Sequence, residues 1–292
     1  TGHADMIELE DGRWYMVSLG KRNDLDGDAN MGRETYLMPM QWESTIVKWE
    51  QVSEDRWEPL RYLFPVVAPL TGKVERFTPL PFTDRPQYIN NTVIDDFLNE
   101  NLDLRWTFIR VPEEKTYSLL ENPGFLRLYS KPGKIEDRKR FSLVGFRQKE
   151  SDFEFEVKMN FLPNKDKVES GVIHYQKEWN YLTNTVIKKR KKYYLEQKLK
   201  EKGKEVVTLK KTILKGYDGN IILKVKSKKD RYDFFYSLND GSSFDYFTSI
   251  EAIKVLDRNY TGALLGLFTT SNGVLSQDYA DYDWVRYKDF VR

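Results

Sequence analysis

The 292-residue chain has no cysteine, which excludes disulfides and thiolate chemistry but does not fix the compartment. It has only two histidines, His3 and His174, so each is judged alone. No apolar run approaches the ~18 residues of a membrane span, and no secretion signal is visible, which leaves localisation open. An excess of one charge is missing too. Lys and Arg number 47, Asp and Glu 45, and the net charge is +2. That balance gives no general reason to expect a nucleic acid or another polyanion as partner. Helical periodicity is scarce, with residues 194–204 the one stretch that competes with a strand pattern. Aromatic residues reach 14%, which suits β-structure and sugar stacking.

The N-terminal stretch organises the reading. Trp14, Met16 and Ser18 alternate with Tyr15, Val17 and Leu19, a strand expected to be buried on both sides and entered by the turn Asp11-Gly12. Residues 21–30 form a polar loop. Asp24, Asp26 and Asp28 have the alternate spacing of a calcium loop, but Ala29 and Thr35 stand where an EF-hand needs glycine and glutamate. The loop therefore reads as a solvated rim. Residues 36–70 read as two or three strands, with Trp42, Val47, Trp49 and Trp57 supplying bulk. Residues 71–91 carry Pro79, Pro81 and Pro86, a density that suits an extended connector.

Beyond residue 95 the pattern is all-β. Phe153, Phe155, Val157 and Met159 alternate with Glu154, Glu156 and Lys158, a half-buried strand. Further strands are read at 171–175, from 180, at 221–227, 232–236, 262–269 and 282–287. Asn239-Asp240-Gly241 marks a hairpin. Short strands with such turns predict an antiparallel, jelly-roll-like sandwich. The cationic run Lys188-Lys189-Arg190-Lys191-Lys192 is interrupted downstream by Glu196, Glu201 and Glu205. It reads as a solvated edge hairpin between two strands, with lysines that oppose aggregation, in preference to a nucleic-acid patch. His174, mid-strand, reads as packing. Trp106, Trp179 and Trp284 read as core aromatics before a sugar platform.

Several stretches carry a resemblance. Gly2-His3-Ala4-Asp5, the strand Gly12-x-Trp14-Tyr15-x-Val17, Gly32-Arg33-Glu34-Thr35 and the apolar Tyr36-Leu37-Met38-Pro39-Met40-Gln41-Trp42 resemble the last blade of a glycoside hydrolase family 43 propeller. Asp95-Asp96-Phe97, Leu104-Arg105-Trp106, Pro123-Gly124-Phe125-Leu126-Arg127-Leu128 and residues 261–268 are similar to the C-terminal β-sandwich of β-xylosidases in that family. The resemblance implies the end of a five-bladed β-propeller over residues 1–75, a linker over 76–94 and a concanavalin-like sandwich over 95–292. It also implies that most of a propeller precedes Gly-His-Ala-Asp.

The activity implied is hydrolysis of β-xylosidic or α-L-arabinofuranosidic bonds with inversion, on hemicellulose-derived oligosaccharides. The resemblance places the catalytic aspartate base, tuning aspartate and glutamate acid on earlier blades, upstream of Thr1. No catalytic residue is therefore expected in this chain. His3 resembles the histidine on the propeller axis, near a metal such as Ca2+ or its water. Arg33 resembles the arginine that enters the substrate pocket. Asp5 and Glu34 are expected to hold His3 and Arg33. The loop after Leu126-Arg127-Leu128-Tyr129 is implied to reach over the site, with Phe141 or Ile135 as its apolar contact. Its sequence, residues 130–141, departs from the family's Gly-Arg-Glu-Ser form, which keeps both sugar specificities open. The partners implied are the oligosaccharide and an N-terminal propeller segment, with no nucleic acid and no membrane. The reading from a different class is a non-catalytic carbohydrate-binding or structural module.

Overall fold

A computed structural model describes residues 2–22, 31–82, 92–137, 141–228, 230–257 and 260–290. The chain divides into two compact units, residues 1–21 with 33–88, and residues 22–32 with 89–292. Thr1, ahead of which the catalytic carboxylates are expected, lies outside the described residues. So do the aspartate-rich stretch 24–28 and much of the proline-rich connector.

The first unit is one antiparallel sheet in the order β1 (Gly2–Glu8), β2 (Trp14–Gly20), β3 (Glu34–Ser53), β4 (Arg56–Val67). The β1–β2 turn closes through the Gly12 N–H to the Leu9 carbonyl, and Asp11 accepts from the Arg13 N–H at 3.0 Å. The expected two-sided burial of β2 holds only in part. Tyr15 and Ser18 are buried, whereas Val17 is exposed. The two or three strands expected over 36–70 are two long ones. From Gln41 onward both faces of β3 are exposed, so Trp49 and Trp57 do not supply core bulk. They are 57% and 56% exposed.

The second unit contains β5 (Thr92–Asp95), β6 (Thr107–Phe108), β7 (Tyr117–Ser118), β8 (Leu126–Tyr129), β9 (Ser142–Arg147), β10 (Phe153–Asn160), β11 (Glu169–Lys177) and β12 (Asn180–Lys189). It continues with β13 (Lys192–Lys200), β14 (Val207–Ile213), β15 (Asn220–Lys228), β16 (Arg231–Ser237), β17 (Asp245–Glu251), β18 (Leu264–Thr270) and β19 (Tyr279–Asp289). Two sheets result. One runs β17-β16-β15-β10-β19-β8-β7, with β5 also paired to β19, and the other β14-β13-β12-β11-β18-β9-β6. They enclose a core in which Phe153, Phe155, Val157 and Met159 of β10 point inward, as their alternation predicts. Phe146 meets Phe155, Tyr287 and Trp106 edge-on at 5.8, 5.2 and 5.3 Å. Rings so packed contribute beyond their buried area by about 0.5–1.5 kcal/mol per pair.

The stretch read as a competing helix is strand β13. Two of its charged residues, Glu196 and Lys198, are paired. Lys189 and Lys211 reach Glu196 at 2.6 and 3.3 Å, and Lys198 reaches Glu169 at 2.7 Å. Burial raises the Glu196 pKa, and the lysines outweigh it, so the net shift is downward. The hairpin turn falls at Arg190 and Lys191, both with positive φ. Its strands are not at the sheet edge, because β14 lies outside β13.

His174 is buried, with Nε2 3.2 Å from Gln148 Oε1 and its ring 5.1 Å from Tyr232. Burial holds its pKa down to about 4, below the usual ~6.5 of an exposed histidine. The unfolded chain therefore binds a proton between those values that the folded chain does not. Stability is full above ~6.5 and falls as pH drops, by about 3 kcal/mol near pH 4 from this group. His174→Gln is expected to flatten that part of a urea-denaturation pH profile. An unchanged slope would mean that the ring is protonated in place.

Candidate functional site at the rim of the four-stranded sheet

Strand register brings the N-terminal motif residues to one end of the first sheet. Gly2 pairs with Leu19, Leu19 with Thr35, and Gly20 with Glu34. His3 follows Gly2 on β1 and Arg33 immediately precedes β3. The two positions thus lie at the same end of the sheet, on strands separated by β2. The register of β1 shifts between Gly2 and Asp5, and His3 within that bulge has a φ of 47°. Left-handed backbone at a non-glycine residue costs on the order of 1–3 kcal/mol and concentrates at functional sites. Here it turns the chain at the exposed rim and makes His3 a local irregularity on an otherwise regular strand.

Arg33 is exposed and Glu34 half-buried. Asp5 Oδ1 accepts from the Met6 N–H at 2.9 Å, and among the described residues no hydrogen bond joins His3 to Asp5. A guanidinium and an imidazole on one rim offer donors suited to sugar hydroxyls. A calcium ion wants six to eight oxygen ligands. Among the described residues no group of three His, Asp or Glu side chains assembles to hold a metal, so the described residues do not by themselves fit one.

The glycine before Arg33 has its own constraint, inside the second unit. Gly32 has a φ of 68° and bridges to Thr261. A Cβ there would collide with the backbone of Thr261 and Gly262 and sit 2.8 Å from the Tyr260 carbonyl oxygen. Gly32→Ala is expected to cost ~2 kcal/mol or more, from left-handed strain plus overpacking. Thermal denaturation reads this directly, and an unchanged melting temperature would show that the contact yields freely. Nothing in the sequence announced the contact, since the two segments are 229 positions apart.

Residues 131–137 and Phe141 are held against the sandwich. The carbonyls of Lys131 and Gly133 accept from the Thr270 hydroxyl at 3.2 and 3.0 Å. Ile135 is buried with Leu143, Ile173, Tyr175, Tyr181 and Phe268, and Phe141 packs at the edge of that cluster. Phe141 is half-buried, 6.3 Å from the Phe268 ring, with the Arg110 guanidinium 6.0 Å from its centroid. Trp106 is buried and donates from Nε1 to Asp95 at 2.7 Å, and Trp179 donates to Asp257 at 3.1 Å.

Residues 94–288 match the family profile of the β-xylosidase C-terminal concanavalin A-like domain. The chain belongs to glycoside hydrolase family 43. This family 43 chain is 28% identical to a Bacteroides ovatus protein named non-reducing end α-L-arabinofuranosidase, over 98% of the chain and 51% of that relative. It is 30% identical to a Butyrivibrio fibrisolvens xylosidase/arabinosidase, over 97% of the chain and 52% of that relative. The solved Bacteroides ovatus Xyloglucan PUL GH43B structure superposes with a TM-score of 0.83 at 27% identity, covering 99% of the chain and 54% of the other. The GH43 BlXynB protein from Bacillus licheniformis gives 0.78 at 26% identity, covering 99% of the chain and 53% of the other. The chain spans about half the length of the curated relatives it matches. The all-β, antiparallel architecture with a concanavalin-like sandwich agrees with the fold expected from sequence.

Proposed function

We propose that the complete protein hydrolyses β-xylosidic or α-L-arabinofuranosidic bonds with inversion, and that this chain supplies part of the sugar pocket. The observation that carries the reading is that strand register sets His3 and Arg33 at the same end of the first sheet, in a family 43 chain. Inverting hydrolysis needs an acid to protonate the leaving oxygen and a base to activate water, roughly 6.5–9.5 Å apart. Both are assigned upstream of Thr1, to the part of the protein corresponding to the half of the relatives that this chain does not span. Arg33 holds sugar hydroxyls and favours the ionised form of neighbouring carboxylates. His3 shapes the floor beside it. The two relatives named above carry both sugar specificities in their names, and the divergent 130–141 loop does not select between them.

The test is hydrolysis of aryl β-xyloside and aryl α-L-arabinofuranoside by the complete protein, with the released anomer followed by proton NMR. Turnover of at least one substrate, with the inverted anomer appearing first, is expected. Retention, or release from neither, would overturn the assignment.

A further inference from the structure

The connection from β2 to β3 is fastened to the second unit at both of its ends. Arg22, two positions past the end of β2, and Gly32, just ahead of Arg33, both belong to that unit. Arg22 donates from Nη1 to Glu150 Oε2 at 2.6 Å and from Nη2 to the Lys149 carbonyl at 3.1 Å. The side chains of this ion pair are 18% and 14% exposed. Breaking so shielded a pair leaves a poorly solvated charge behind, unlike the loss of an open surface pair. At the other end Met31 is buried, and Gly32 bridges to Thr261.

The two anchors are neighbours in the sandwich. Glu150 lies in the connection from β9 to β10, and Thr261 just before β18. β9 and β18 are hydrogen-bonded partners, and the Gln148 N–H continues their ladder to the Ala263 carbonyl at 3.0 Å. The receiving surface is itself fixed. Gln148 Nε2 donates to the Glu150 carbonyl at 2.8 Å, and the Lys149 N–H donates to the hydroxyl of the buried Tyr287 at 3.2 Å. Asp289, buried at the same end, has its carboxyl pKa raised, first by burial and then by the Glu150 charge, which Lys149 offsets only in part. Two carboxylates so placed favour a further cation beside them, and Arg22 supplies it.

We propose that Arg22 and Gly32 are positioning residues for Arg33. They fasten the chain to the sandwich at Glu150 and Thr261, and so fix the backbone from which the Arg33 guanidinium reaches the sugar. This rests on the sugar-binding role proposed for Arg33. The chain passes from the second unit into the first at the peptide bond between Gly32 and Arg33. Arg33 therefore sits between two backbone pairings, Gly32 with Thr261 before it and Glu34 with Gly20 after it. The same Gly20–Glu34 pair ties the two ends of the connection together, so that loosening the Arg22 anchor also loosens the strand start that carries Arg33. A displacement of ~1 Å in a group that holds substrate costs up to about 100-fold in rate.

The test uses the complete protein with Arg22→Gln and, separately, Glu150→Gln. Each is expected to lower kcat/KM about 10-fold on the aryl glycoside that is turned over, at temperatures well below melting. In an Arg33→Ala background the same changes should have less than about a twofold effect, because residues that act through one group are not additive. Arg22→Lys, which keeps a cation on Glu150, should retain most of the rate. A purely structural role would lower the melting temperature and leave the losses additive, which would overturn the proposal. A second measurement does not depend on turnover. Hydrogen exchange followed by mass spectrometry should be faster over residues 31–36 in Arg22→Gln, with β10 still protected. Unchanged exchange over 31–36 would also overturn the proposal. Faster exchange there, with kinetics indifferent to Arg33→Ala, would establish the fastening and refute only the sugar-binding role of Arg33 under the proposed function.

Discussion

In the complete enzyme, Arg33→Ala is expected to lower kcat/KM by about 100-fold while the melting temperature barely moves. The magnitude follows from chemistry. A hydrogen bond from a charged donor to a sugar hydroxyl is worth ~1.5–3 kcal/mol, and about 1.4 kcal/mol is a factor of ten. The small change in stability follows from position, because Arg33 is exposed at the rim, one residue before β3 begins. If the arginine fork grips two hydroxyls, Arg33→Lys should recover only part of the loss, since an ammonium is a point charge without the planar pair of donors. Steady-state kinetics on both aryl glycosides, beside thermal melts, separate the roles. Unaltered kinetics with a lower melting temperature would make Arg33 a structural residue.

How far the fold could be read in advance depended on how local each signal was. β10 alternates apolar and polar side chains over eight residues, and a period of two needs no tertiary information. The hairpin at Asn239-Asp240-Gly241 was equally legible, because its turn needs left-handed backbone, and Asp240 and Gly241 do have positive φ. The β13 segment was ambiguous for a physical reason. Leu195 and Leu199 are four apart, which satisfies one face of a helix and one face of a strand alike. The ladder to β12 decides for the strand.

The outer part of the β3–β4 hairpin is exposed where bulk was expected, because an apolar stripe carries no record of what covers it. Trp42, Ile46 and Trp49 look the same in sequence whether they face a core or solvent. The contact between Gly32 and the segment 260–262 was hidden for the opposite reason, since it joins backbone to backbone and involves no patterned side chain. Within the candidate site, the motifs located His3 and Arg33. Register alone then brought them to one rim, and the left-handed φ of His3 is visible only in the structure.

The central claim is that this chain forms one wall of a pocket whose acid and base lie elsewhere in the protein. Asp5 and Glu34, the carboxylates next in sequence to His3 and Arg33, are not assigned as the acid–base pair. The direct measurement is nitrophenol release from aryl β-xyloside and aryl α-L-arabinofuranoside by the 292-residue chain, alone and then with the segment preceding Thr1 added, either as a longer chain or as a separate complementing one. The account predicts background rates for the chain alone and turnover once the segment is present. Robust turnover by the chain alone, abolished by Asp5→Asn or Glu34→Gln, would contradict it and place the catalytic carboxylates on this rim.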